Sequence, residues 1–399
     1  MASSTALSIP LTDLAHPLPN LCAMSATEIL AAYRASQFND VKGTLARVRR
    51  DARDLTQEIG ILKRYLAVYP NASFRRRLRT DAIEQLFRRM HEHVMSHPVW
   101  THPFFVRMAE GDMTLKQLNV FARHYFNQVK NTCQCVALAL GRFHTMMDRG
   151  DGELGTIVSE LTQVVLAGLL SDEYGTGAHG HGNSHSHGAT SSSPALDIGQ
   201  LFAPITHPGL FRRFLDALGA SAGNYDVPML HGVADNVLVQ RILSSDPAYD
   251  ELEALASVGL GMEWGVPAFF SMIMAGIYKV TRREGIALDM KSMEIWSSHV
   301  KQDVEHAIAV MIATSFYVRN EADEARIERA TNVLLAYRYD MMSDIYREVF
   351  DLTCPKIAQI GLSPRHIPND RRIKPLLAVA RERIPPASVW RYRDYVASI

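Results

Sequence analysis

The chain has 399 residues, 47% of them hydrophobic, and its 42 lysines and arginines are balanced by 42 aspartates and glutamates. This suits a globular protein with one large core or two modest ones, and a net charge of zero removes the attraction that marks most nucleic-acid binders. No run reaches the roughly 18 unbroken apolar residues of a membrane helix, and residues 1–10 lack the basic-then-apolar order of a leader. The expectation is a cytoplasmic protein with neither membrane nor nucleic acid as partner.

From Ser25 to Tyr69, apolar residues such as Leu30, Tyr33, Val41, Leu45, Leu62 and Leu66 recur mostly at steps of three or four, the helical period. Ser25 followed by Glu28 has the form of a capping box, which places the start of the first long helix. A further helix is predicted over Ser73 to His97, ending before Pro98. The basic run Arg75-Arg76-Arg77-Leu78-Arg79 at its start reads as a solvated face rather than a phosphate site. Residues 1–94 thus form an N-terminal helical extension, able to pack on the core or to make a homodimer.

Beyond it the predicted helices are Thr114–Met147, Leu154–Tyr174, Gly209–Leu218, Met229–Ser244, Tyr249–Arg283, Met290–Phe316 and Glu321–Phe350. Strand-like alternation is nowhere sustained, so the fold class is all-α, a bundle whose interior can carry a site. Residues 95–352 form its core and 353–399 a C-terminal tail. Glu321, Asp323 and Glu324, followed by Arg326, Glu328 and Arg329, read as a salt-bridged exposed face. Cys22, Cys133, Cys135 and Cys354 make no disulfide framework in so long a chain. Cys133 and Cys135 have the wrong spacing for a zinc knuckle or a redox pair.

Chemistry concentrates at four places. An apolar helix ends in Asp172-Glu173, where acids oppose the helix dipole and call for a positive partner. There follows a Gly-, Ser- and His-rich stretch holding His179, His181, His185 and His187. It cannot bury enough apolar surface to order itself and reads as a flexible insertion over 176–205 with loose metal affinity. His207 then opens the next helix within Thr206-His207-Pro208-Gly209. Glu263 stands alone among apolar residues in Gly259-Leu260-Gly261-Met262-Glu263-Trp264-Gly265, where an isolated buried carboxylate needs a counter-charge, a metal being one. A surface-pointing glutamate near Pro267 is the bland alternative.

The strongest local pattern is His299, Asp303 and His306. At i, i+4 and i+7 they occupy one stripe of a helix and are expected to reach a common point. Imidazole with carboxylate suits iron, zinc or manganese. Taken alone, a His–Asp hydrogen bond on a partly buried face accounts for the pattern equally well.

In chain order, Asp172-Glu173-Tyr174-Gly175, then His207 leading to Leu218-Gly219, Glu263 with Pro267, and His299, Asp303 and His306 resemble the haem-oxygenase-like di-iron oxidases. His102-Pro103-Phe104-Phe105 to Gly111, Thr114, Gln117-Leu118 and Tyr125-Phe126 resemble that family's first core helices. The likeness spans about residues 95–350. It implies a haem-oxygenase-like bundle without haem, holding two Fe(II) per chain that react with O2. The implied ligands are Glu173, Glu263 and Asp303 through oxygen and His207, His299 and His306 through nitrogen.

The resemblance further implies oxidation of a small amine- or amino-acid-derived metabolite in secondary-metabolite biosynthesis, with N-oxygenation leading. An external electron donor is compatible with it, and oxidative decarboxylation, desaturation or C–C cleavage of a small acid is the alternative at the same site. Several N-oxygenating members carry a further carboxylate on a core helix, whereas Thr114–Met147 contains no Asp or Glu. There Gln128 or Gln134 could instead hydrogen-bond to a ligand. Members that consume their own tyrosine to make aminobenzoate carry Tyr and Lys where this chain has Phe105 and Ile273, which argues against that reaction. The His-rich insertion is longer than usual and raises His179 or His181 as rivals to His207. His207 is preferred because its spacing to Leu218-Gly219 is kept. Two readings of other classes stand beside these: a metal-free thiaminase-like hydrolase using Cys133 or Cys135, and a non-catalytic metal-binding protein.

Overall fold

The computed structural model describes residues 16–49, 54–143, 152–176, 205–220 and 224–383. The N-terminal helices are α1 (Ala26–Arg49), α2 (Gly60–Val68), α3 (Ala72–Arg77) and α4 (Thr80–Met95). The bundle comes next as α5 (Pro103–Glu110), α6 (Leu115–Leu140), α7 (Gly152–Glu173), α8 (His207–Ala217), α9 (His231–Ser245), α10 (Glu251–Ala256), α11 (Val266–Arg283), α12 (Glu294–Ser315) and α13 (Glu321–Phe350), and α14 (Ile373–Glu382) comes last. Among the described residues there is no strand, only an isolated bridge between Asp54 and Arg79. The fold is all-α.

Local chemistry sets the helix starts. The Ser25–Glu28 box forms, with the Ser25 N–H donating to Glu28 Oε2 at 2.7 Å. Reciprocal boxes at Thr114/Gln117 and Asn320/Asp323 open α6 and α13, each satisfying amide donors that a helix start leaves orphaned. The predicted Ser73–His97 helix is two: Arg79 is extended, so α3 stops and α4 restarts at Thr80.

The predicted Tyr249–Arg283 helix is also interrupted. After α10 the backbone widens into a π-helix over Ser257–Glu263, and the Trp264 N–H donates to the Gly259 carbonyl at 3.1 Å. Glycines make this segment compatible with its surroundings. A Cβ on Gly259 would lie 2.7 Å from Val310 Cγ1 on α12, and one on Gly261 would lie 2.5 Å from Leu334 Cδ2 on α13. A π turn inserts one residue into the helical register and re-aims the side chains after it. Here Glu263 is its last residue.

α9 packs between α6 and α13, α12 lies against α11 and the π segment, and α14 covers α9. The described part of the N-terminal extension packs on this same bundle. Tyr33 Oη lies 2.9 Å from Ser271 Oγ, and Gln37 Nε2 donates to the Trp264 carbonyl at 2.7 Å. Buried apolar residues from Leu21 to Leu377 form one cluster. Gly152–Glu173 and Glu251–Arg283 are long and apolar enough to cross a membrane, but the second is buried throughout its most apolar stretch. Its hydropathy is that of a core helix.

Two surface expectations change in detail. In the basic run, Arg76 and Arg79 are exposed, but Arg77 lies over the Phe74 ring and Arg75 donates to the Leu66 carbonyl. The charged start of α13 is a set of clasps between elements, not a face bridged only to itself. Arg326 pairs with Asp250 as well as Asp323, Glu324 with Arg89 on α4, and Glu328 with Arg365 beyond α13.

Candidate metal centre

The six candidate ligands come from four local settings: the end of α7, the start of α8, the end of the π segment and one stripe of α12. Glu173 ends α7, and two residues later Gly175 turns the chain with φ +68°. The backbone of Ile205 sits against Gly175 so closely that a Cβ there would overlap its carbonyl. The two stems of the 176–205 insertion therefore meet, and Glu173 and His207 are neighbours whatever the insertion does. His207 is the first residue of α8, whose Thr206 cap accepts from the Gly209 N–H and whose Pro208 tolerates the missing donor of a first turn. His207 Nδ1 lies 2.8 Å from Glu173 Oε2. A hydrogen-bonding partner for the acid at this helix C-terminus is thus in place. His179, His181, His185 and His187 lie outside the described residues.

Glu263 is 3% exposed and faces inward from the end of the π segment, so it is not a surface glutamate. His299, Asp303 and His306 line one stripe of α12 but do not converge on one point. Glu173, His207 and His299 form one group and Glu263, Asp303 and His306 a second, the ligand atoms in each lying within 4.8 Å of one another. Helical rise accounts for the split, because seven residues advance about 10 Å, too far for a single coordination sphere. The stripe contributes to two neighbouring groups that could each hold a metal ion.

Secondary contacts orient the imidazoles. His299 Nδ1 lies 2.6 Å from the Ile295 carbonyl; a carbonyl only accepts, so Nδ1 carries the proton and Nε2 offers the lone pair. His306 Nε2 lies 3.0 Å from Asp172 Oδ2, while its Nδ1 faces Asp303 at 3.7 Å and Glu263 at 4.0 Å. Asp172 is not among the six ligands the sequence suggests, yet it stands directly behind one of them. Its adjacency to Glu173 at a helix end was the available signal, since a carboxylate behind a ligating histidine is a recurrent metal-site arrangement. Trp296, fully buried, packs its indole 4.8 Å from Phe270 and 5.3 Å from Phe214, centroid to centroid, and holds this part of α12 in place.

The electrostatics ask for cations. Burial pushes Glu263 well above the ordinary carboxylate range, and the charge of Glu173 adds to it. Asp303 is raised in the same way by burial, then by Glu263 and Glu173. Burial would raise Glu173 too, but His207, reinforced by His299 and His306, outweighs it and holds the group at about 2. Asp303 Oδ2 and His306 Nδ1 are buried with no hydrogen-bond partner among the described residues. Three carboxylates and three imidazoles, with the Asp303 and His306 atoms unsatisfied, fit two metal ions, and this mixed donor set suits iron, zinc or manganese.

Five of the six, all but His306, border one cavity of about 50 Å³, counted as space open to the centres of water molecules. That is room for several waters. Phe105, Tyr125, Phe269 and Phe270 supply aromatic walls, and Arg338 lines it as well. Gln128 reaches this cavity but bonds to Gln240 and Asn236 rather than to a candidate ligand, and Gln134 is exposed. Cys133 and Cys135 are buried, and burial pushes their thiols up to about 11 and about 12. A thiol nucleophile needs the opposite shift.

No family model matches the chain. Among curated proteins it is similar to one named 4-aminobenzoate synthase, from Nitrosomonas europaea, at 24% identity over 243 residues, or 60% of this chain and 81% of the relative. The likeness is to an enzyme. It covers most of that relative and joins an amine-related metabolic activity, on the relative's side, to two candidate metal groups on this chain's side.

Proposed function

We propose that this chain is a non-haem di-iron oxidoreductase that uses O2 to oxidise a small amine- or amino-acid-derived metabolite, N-oxygenation being the leading reaction. The observation that carries the reading is the pairing of Glu173, His207 and His299 with Glu263, Asp303 and His306 around one aromatic-walled cavity. Two ferrous ions, when bound, supply the electrons and open coordination positions that dioxygen requires. The chain's own part is to hold them. The carboxylates offset the metal charge, the hydrogen-bonded imidazoles fix direction, and the aromatic walls keep bulk water from the reacting space.

The relative's name brings formation of 4-aminobenzoate into consideration. Against the tyrosine-consuming route stands Phe105, which lines the cavity where the resembling members carry tyrosine, together with the fully buried Ile273. An external amine substrate is therefore favoured. A hydrolase using Cys133 or Cys135 is disfavoured by the raised thiols.

Anaerobic titration of the metal-free protein with Fe(II), followed by measurement of oxygen uptake with small amines and amino acids, tests the reading. Two equivalents are expected to bind in the wild type, and Glu263→Ala or His306→Ala is expected to abolish both full loading and oxygen uptake. Full loading in both variants overturns the assignment.

A further inference from the structure

Arg338 is the one cation among the described residues that border the cavity, apart from the histidines. It stands on α13, is 6% exposed, and its Nη1 is buried with no hydrogen-bond partner among the described residues. Nor does any described carboxylate lie within ion-pair distance of it: the ion pairs of α13 use Asp323, Glu324, Arg326, Glu328, Asp344, Arg347 and Glu348 instead. Its guanidinium lies over the Phe269 ring, 5.5 Å from the centroid. A stacked ring positions a guanidinium but leaves its edge N–H groups unsatisfied.

Burying an unpaired guanidinium is costly. The cost is visible in the direction of its titration, pulled below the ordinary arginine value by burial and only partly restored by Tyr125 and Glu263. A fixed planar fork facing a cavity is matched in shape and charge by a carboxylate, which it holds through two parallel hydrogen bonds. The charge balance points the same way. Two ferrous ions exceed the charge of Glu173, Glu263 and Asp303 by one unit, Asp172 behind His306 offsets that unit, and Arg338 adds another. The loaded cavity is one negative charge short.

We infer that Arg338 anchors the substrate through a carboxylate, so that the molecule oxidised is a small amino acid or amino-substituted carboxylic acid whose other end is presented to the metal pair. This deepens, and rests on, the di-metal reading above. The aromatic walls and the narrowness of the space favour a flat or short body between the two ends. Arg338 is a specificity residue in this account. It takes no part in holding metal.

The test uses the full-length protein and two probes of nearly the same shape, 4-aminobenzoate, which carries a carboxylate, and 4-aminobenzamide, which does not. Affinities are measured calorimetrically for wild type, Arg338→Met and Arg338→Lys, with and without Fe(II) under anaerobic conditions, and metal stoichiometry is recorded separately. The carboxylate is expected to bind wild type at least tenfold more tightly than the amide. Arg338→Met is expected to erase that preference, Arg338→Lys to restore part of it, and all three proteins to load the same number of ions. Equal affinity for the two probes in wild type overturns the inference, as does a preference that survives Arg338→Met. Loss of metal from Arg338→Met also overturns it, by making Arg338 part of the metal scaffold. A wild type that prefers the carboxylate in an Arg338-dependent way yet binds no metal leaves the anchor standing and sinks the di-metal reading alone.

Discussion

Asp172 and His306, on different helices and 134 positions apart, meet with Oδ2 of the aspartate 3.0 Å from Nε2 of the imidazole. Because a carboxylate accepts, this contact fixes the proton on Nε2 and turns the Nδ1 lone pair toward Glu263 and Asp303. Removing it should loosen the second group without touching the first. In Asp172→Ala the affinity for one of two Fe(II) equivalents is expected to fall by about 10- to 100-fold, the usual effect of losing a partner behind a ligating histidine. Competition with a chelator under anaerobic conditions measures it. Unchanged affinity at both sites would show that Asp172 is only a surface acid that happens to touch His306.

Gly175 links the fold to the first group. Its φ of +68° and the backbone of Ile205 packed against it leave no room for a side chain. Gly175→Ala is expected to cost about 1–3 kcal/mol of stability from the strained backbone alone. It should also push Ile205 outward, separating His207 from Glu173. Thermal unfolding reads the first effect, and weaker binding of one of the two Fe(II) equivalents expected for the wild type reads the second. A stable variant with normal metal affinity would mean that the loop stems do not set this geometry.

Acid should weaken the protein through its buried histidines before carboxylates of ordinary acidity titrate. Burial holds His93 at about 4, with Glu328 partly opposing it, His102 at about 3, and His97 well below its ordinary value. In the unfolded chain the same groups take up protons near pH 6.5. Through these histidines the unfolded state binds more protons than the folded one between about pH 6.5 and 4, and their contribution to stability falls as pH falls through that window, while the raised Glu263 and Asp303 act in the opposite sense. Each unit of depression corresponds to about 1.4 kcal/mol. The melting temperature is expected to drop steadily from pH 7 to 4.5, less steeply in His93→Gln. A flat profile over that range would contradict this.

Helices were legible in the sequence because their cause is local. Period, capping boxes and the absence of alternation are visible within a dozen residues, and Ser25–Glu28 and Thr206 opened helices where those signals stand. The breaks were less legible. The π segment before Glu263 depends on Val310 and Leu334 pressing on glycines from other helices, a contact that no window around residue 260 contains.

By itself the sequence determined the residue types, their order and their separate plausibility: His299, Asp303 and His306 on one stripe, a lone glutamate in an apolar stretch, and two acids where a helix dipole resists them. Only the tertiary structure decided how they divide. α12 crosses both groups, so its stripe sends His299 one way and Asp303 and His306 the other, since the two turns of rise from His299 to His306 exceed the reach of one ion. The sequence marked Asp172 only as an acid at a helix end, and its place behind His306, like that of Arg338 at the cavity, came from the company of residues distant in the chain.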